Sequence, residues 1–180
     1  MEKKMENGRS MIEMLGVLAV IGVLTVSGFA LVGKMHSSRQ VSRVMDDISE
    51  MALKTRAFLR EYDSDNACTH PTCSIVKKMN EAKMIPSGLE YEDKQLINLN
   101  DVRFYVDYPA NDGSVLFKLK IENLTEDMCL QVATANWGDI SSTGYREISI
   151  NNKDAIQGIV SLQKATDDCS ENAKITLSYR

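Results

Sequence analysis

Histidine is nearly absent: His36 and His70 are the only two in 180 residues, and neither sits in a nucleophile motif such as Gly-x-Ser-x-Gly. Histidine general-base chemistry therefore has no visible seat, and no catalytic residue is expected. The ten glycines are scattered, so no phosphate-cradling loop occurs and no cofactor is expected. Basic charge is not in excess. A formal net charge of −4 and a pI near 5.3, with dispersed Lys and Arg, leave no electrostatic footprint for nucleic acid, which is not an expected partner. From Met14 to Gly33, 20 residues carry no charged side chain at all. At about 1.5 Å per residue that stretch reaches roughly the 30 Å hydrocarbon core of a bilayer, and is expected to enter a membrane.

What is present at the head of this stretch is one carboxylate, Glu13. A charge at the edge of an apolar span is costly unless it is neutralised. Arg9, four residues earlier, is the nearest cation and is spaced for an intrahelical pair.

The run Gly8-Arg9-Ser10-Met11-Ile12-Glu13, followed by Leu, Val, Ile, Ala and Gly up to Leu24, resembles the N-terminal signature of type IV pilins and pseudopilins. The resemblance implies that a prepilin peptidase cuts between Gly8 and Arg9, that Arg9 becomes N-methylated, and that Glu13 directs assembly. The amine freed at Arg9 would stay largely protonated, and in low dielectric it would attract a carboxylate strongly. Glu13 thus has two candidate partners, the Arg9 side chain of its own helix and the Arg9 amine of a neighbouring subunit. The second would set the axial stagger of stacked helices, because a subunit out of register leaves both charges unpaired. Two positions depart from the family pattern: Arg9 stands where an apolar residue is usual, and Ala30 where many members carry proline. Gly16, Gly22, Gly28 and Gly33 are then the candidates for local bending.

Because the cut would precede the apolar run, that run would stay in the mature chain as its anchor, unlike a secretory signal. Lys3, Lys4 and Arg9 before the span balance Lys34, Arg39 and Arg43 after it, so positive charge does not orient it. The cysteines do. Cys68, Cys73, Cys129 and Cys169 all lie beyond the anchor, and an even number in a small exported domain points to two disulfides on the oxidising side, among three possible pairings. The preferred pairing joins Cys68 to Cys73 and Cys129 to Cys169; the second resembles the C-terminal disulfide loop of type IV pilins, with a long spacing like that of the type IVb branch. Cys68 and Cys73 do not have the spacing of a thioredoxin-like motif, and with His70 they lack a fourth ligand, so no metal site is expected. The pairs Asp46-Asp47 and Asp167-Asp168 read as solvated faces in preference to calcium ligands.

Beyond the anchor, Val41, Val44, Ile48, Met51, Thr55, Phe58 and Tyr62 recur at three- and four-residue intervals, one stripe of a helix running from near Ser10 to about Arg60. Ser74 to Ala82 reads as a short helix. Alternation predicts strands over Val102 to Tyr108 and Val115 to Ile121 around an Asn111-Asp112-Gly113 turn, and further strands at Arg146 to Ile150 and at Ile175 to Tyr179. Thr125 is an expected N-cap for a helix through Ala133, and Asp154 to Lys164 reads as another helix. Trp137 reads as a core anchor or an exposed contact.

The fold class expected is α+β: a long N-terminal helix, half membrane-spanning and half amphipathic, on an antiparallel sheet of about four strands, with two disulfides. The domains expected are a leader 1–8, an anchor and assembly segment 9–33, an amphipathic segment 34–62 and a globular head 63–180. The function implied by the resemblance is a structural subunit of a type IV pilus, type IVb-like, and not an enzyme. A pseudopilin of a type II secretion system and a non-polymerising anchored binding module are the alternatives. The implied partners are identical or related pilin subunits, prepilin peptidase, the inner-membrane assembly platform with its ATPase, and lipid before assembly. The implied location is the inner membrane with the head in the periplasm, then the cell-surface pilus or periplasmic pseudopilus.

Overall fold

A computed structural model describes residues 38–61, 74–108 and 116–180. The chain divides into two compact units, Met1–Gln40 and Val41–Arg180, and the sheet with its core belongs to the second. Among the described residues no helix is long and apolar enough to cross a membrane. The expected span, Met14 to Gly33, lies outside them, as does the Asn111-Asp112-Gly113 turn.

Residues 38–61 are helical (α1). The stripe that periodicity picks out is the face that packs: Val41, Val44, Ile48, Met51, Thr55 and Phe58 are all buried. Their three- and four-residue spacing keeps them on one side of the helix, and the apolar ones join one hydrophobic core with the sheet. Burying each large side chain stabilises by about 1.5–3 kcal/mol. The polar side of α1 adds an i,i+4 pair, Glu50 with Lys54 at 2.9 Å, whose exposure limits it to a few tenths of a kcal/mol.

After α2 (Ile75–Glu81), capped by the Ser74 hydroxyl, come seven strands and two more helices. They are β1 (Leu89–Glu92), β2 (Gln95–Asn98), β3 (Arg103–Asp107), β4 (Phe117–Leu124), α3 (Glu126–Thr134), β5 (Tyr145–Ile150), β6 (Ile156–Gln157), α4 (Leu162–Asp168) and β7 (Ala173–Tyr179). All pair antiparallel in one sheet of order β1-β2-β3-β4-β7-β5-β6. The expected count of about four strands is too low. The four strands that alternation picks out are present, and β1, β2 and β6 are additional. The Asp154 to Lys164 helix is likewise corrected: β6 and Gly158, with φ of +78°, occupy its first half, and α4 begins only after Ser161, whose hydroxyl accepts from the Lys164 amide. Ser161 is the N-cap that the helical reading overran.

Phe117, Leu119 and Ile121 on β4 and Ile175 and Leu177 on β7 are fully buried, while Lys118, Lys120 and Glu122 alternate with them on the other face. There Lys120 pairs with Asp107 and Lys174 with Glu122. Every second residue of the central strands thus enters the core under α1, the geometry that period-two alternation demands.

Candidate functional site

The disulfide-bounded segment is built from two capped helices. Thr125 accepts from the Met128 amide at 3.3 Å to start α3, with Glu126 and Asp127 favourably placed in the first turn. α3 carries Cys129, fully buried, and α4 ends at Cys169; the two are bonded with Cα atoms 5.8 Å apart. The carboxylate preceding Cys169 fixes this end. Asp168, 4% exposed at its side chain, receives Lys153 at 2.6 Å and Lys164 at 3.0 Å, and these hydrogen bonds hold its pKa below the usual 3.8. Asn151 adds a second tie: its amide nitrogen donates to the Asp168 carbonyl and its amide oxygen accepts from the Lys174 backbone. The pair Asp167-Asp168 is accordingly split, with Asp168 inside the lysine clamp and Asp167 outside, accepting from Gln163.

Between α3 and β5 the chain forms a tight loop. The Trp137 indole, half-buried, donates to the Val132 carbonyl at 3.0 Å and folds the loop back on α3. Asp139 gathers the Ser141 hydroxyl and the Ser142 amide and hydroxyl within 2.7–2.9 Å. These donors favour the charged form and lower its pKa to about 2. At the loop's end, Arg56 of α1 donates to the carbonyls of Thr143 at 2.7 Å and Arg180 at 2.9 Å, closing the loop against the final strand. Beside it lies a groove of about 360 Å³ whose lining includes Asp139, Ile140, Tyr145, Arg146 and Gly158. Ile140, Ile159 and Leu162, each more than half exposed, all lie within the Cys129 to Cys169 segment.

At the opposite edge of the sheet, Asn98 fixes the β2–β3 turn. Its side-chain oxygen accepts from the Asn100 and Val102 amides at 2.9 and 3.1 Å, while its nitrogen donates to Asp47 of α1 at 3.0 Å. Burial raises the Asp47 pKa despite that hydrogen bond. Leu99 at the tip is 82% exposed, the most exposed of the large apolar side chains among the described residues.

The sequence-expected residues fall in two sets. Cys129 and Cys169 are brought together. Gly8, Arg9, Glu13, Cys68 and Cys73 lie outside the described residues, as do His36 and His70. Among the described residues no group of three or more His, Cys, Asp or Glu side chains is placed to hold a metal ion. Sequence reasoning missed Arg56, Asn98 and Leu99. Only the last had a visible signal, a lone leucine inside the turn-forming run Asn98-Leu99-Asn100-Asp101.

No family model and no curated protein matches the chain. Among solved structures, the crystal structure of a type IVb pilin from Salmonella typhi is similar, with a TM-score of 0.57 at 15% sequence identity, over 75% of this chain and 96% of that one. The likeness is one of fold: an N-terminal helix packed on an antiparallel sheet.

Proposed function

We propose that the chain is a structural subunit of a type IV pilus of the type IVb kind, and not an enzyme. One coincidence supports this reading: a head with a type IVb pilin's fold follows a Gly8 to Leu24 run with the pilin processing and assembly pattern. Neither half depends on the other. In this reading prepilin peptidase cuts between Gly8 and Arg9, Arg9 is N-methylated, and the assembly platform with its ATPase draws the apolar segment from the lipid into a bundle of like segments. The head then faces the periplasm before assembly and the cell exterior after it. Glu13 is the register mark. In an apolar bundle its carboxylate meets the protonated amine of a neighbour's Arg9 only at one axial offset, and every other offset leaves two bare charges in low dielectric.

Mass spectrometry of the native N-terminus is the direct test. A chain starting at methylated Arg9, recovered in material sheared from the cell surface, is the expected result. An intact Met1 rejects processing, and a processed chain absent from any surface fibre points to the pseudopilin alternative.

A further inference from the structure

Strand β7 lies between β4 and β5, so its register decides which residues face each other across the middle of the sheet. Its own sequence does not fix that register. Ala173, Ile175, Leu177 and Tyr179 alternate with Lys174, Thr176 and Ser178. A one-residue slip would turn the apolar set outward, but a two-residue slip still sends apolar side chains inward at the middle of the strand. Ala173 and Tyr179, at the two ends, mark the observed register only by their size.

The groups that pin it lie just ahead of the strand. Cys169, four residues before Ala173, is bonded to Cys129, five residues beyond Leu124, and Leu124 is the β4 partner of Ala173. The bond thus closes a short ring around the first pair of the β4–β7 ladder. β4 also carries a bulge there, with Asn123 at φ of +67°, so that Lys174 alone spans the shift between the Ile121–Ile175 and Leu124–Ala173 pairs. On the β5 side, Asn151 and Asn152 turn the chain at φ of +49° and +59°. The Asn151 backbone amide donates to the Lys174 carbonyl at 2.8 Å, and its side-chain oxygen accepts from the Lys174 amide at 2.9 Å. Its side-chain nitrogen donates to the Asp168 carbonyl at 2.8 Å. One side chain therefore holds both ends of the turn 169–173 and fixes its length.

A two-residue slip would carry the start of β7 roughly 7 Å along β4. Bonded cysteines keep their Cα atoms about 4.4–6.8 Å apart, and at 5.8 Å this pair cannot follow such a shift. The turn cannot absorb it while Asn151 holds Asp168 and Lys174. We propose that the Cys129–Cys169 bond and the Asn151 clip together form a register lock for β7, leaving the chain one pairing where apolar alternation allows more. The disulfide then selects a structure as well as stabilising it. Without the lock, registers two residues apart become populated, and Thr176 leaves Lys120 for Lys118 or Glu122.

Paired thiols on the outer face of β4 and β7 read the register. In full-length chains carrying Cys68→Ser and Cys73→Ser, Lys120→Cys with Thr176→Cys reports the observed pairing. Lys118→Cys or Glu122→Cys, each with Thr176→Cys, reports a slip in one direction or the other. Dibromobimane, which becomes fluorescent on bridging two adjacent thiols, is the probe. With the Cys129–Cys169 bond intact, the Lys120–Thr176 pair should bridge and the other two should stay at background. With Cys129→Ser, Cys169→Ser and Asn151→Ala added, a slipped pair should rise at least roughly fivefold at the expense of the first. A second variant keeps the bond: two glycines inserted between Glu171 and Asn172, in an exposed turn, lengthen the tether and should also raise a slipped pair. If the bond-free chain bridges no pair above its urea-denatured control, it has not folded, and the glycine insertion decides alone. Bridging of the Lys120–Thr176 pair only in the insertion variant overturns the proposal, as does a slipped pair that bridges as strongly as the first in the parent. Loss of all bridging in the insertion variant overturns it too, because a lock that only selects register leaves the sheet able to form.

Discussion

Arg56 occupies the place where any residue but glycine at position 144 would need its Cβ. An added Cβ at Gly144 would stand 2.5 Å from the Arg56 guanidinium and 2.6 Å from the Arg180 carbonyl, and Gly144 has φ of +75°. The clamp that joins α1 to the Thr143 and Arg180 carbonyls is possible because this position has no side chain.

Gly144→Ala should therefore cost more than the usual surface substitution. Left-handed backbone strain contributes about 1–2 kcal/mol and displacement of Arg56 adds to it, so a loss of about 2–3 kcal/mol is expected in urea unfolding. Gly158 has φ of +78° with nothing within 4 Å of an added Cβ, so Gly158→Ala should show the strain alone and a smaller loss.

The acids Asp168 and Asp47 should act in opposite directions with pH. Asp168 has a lowered pKa, so its contribution is present above the ordinary value of 3.8 and is lost as pH falls through its folded pKa below that. Asp47 has a raised pKa, so the folded state binds a proton first and gains stability as pH falls from neutral toward 3.8. Urea midpoints measured against pH should lose the acid drop in Asp168→Asn and lose the gain above 3.8 in Asp47→Asn. At pH 7, Asp168→Asn should also lower the midpoint itself, since it turns two charge-assisted lysine contacts into contacts with a neutral amide.

Opening the Cys129–Cys169 bond, which spans a sequence separation of 40, should destabilise the head by about 4 kcal/mol on chain-entropy grounds. A Cys129→Ser, Cys169→Ser double variant should show the loss as a lower urea midpoint, and a reductant should then have less effect on it than on the parent.

Asn98 and Leu99 are neighbours with opposite expected roles. Asn98→Ala removes the acceptor of two amides, one of them on buried Val102, and should cost about 1–3 kcal/mol of folding stability. Leu99→Ser touches a side chain that is 82% exposed and should leave stability within about 0.5 kcal/mol. Equal unfolding midpoints for the two variants would contradict the turn's architecture.

Where alternation was long, the sheet was legible. The strands β3, β4, β5 and β7 bury every second residue across a central position and announce themselves by it. The β1–β2 hairpin did not, because Leu89-Glu90-Tyr91-Glu92 is short and rich in acid, and its turn uses Asp93 and Lys94 at φ of +43° and +71° in place of an Asn-Gly pair. Two residues of β6 were too few to show any period. Thr125 was readable as a cap because its hydroxyl acts locally, three residues away. Arg56 was not, since its partners are backbone carbonyls 87 and 124 residues distant, and a carbonyl leaves no trace in residue identity.

The placement of β7 bears on how the head is made. It is the seventh strand in chain order yet lies between β4 and β5. Until residues 173–179 leave the ribosome, β4 and β5 have no partner on their inner sides, and two rows of backbone donors and acceptors stay bare. Sheet closure is thus deferred until the seventh strand has been made. A product truncated before β7 lacks the keystone and presents open edges suited to aggregation or proteolysis, so the topology itself marks out incomplete chains.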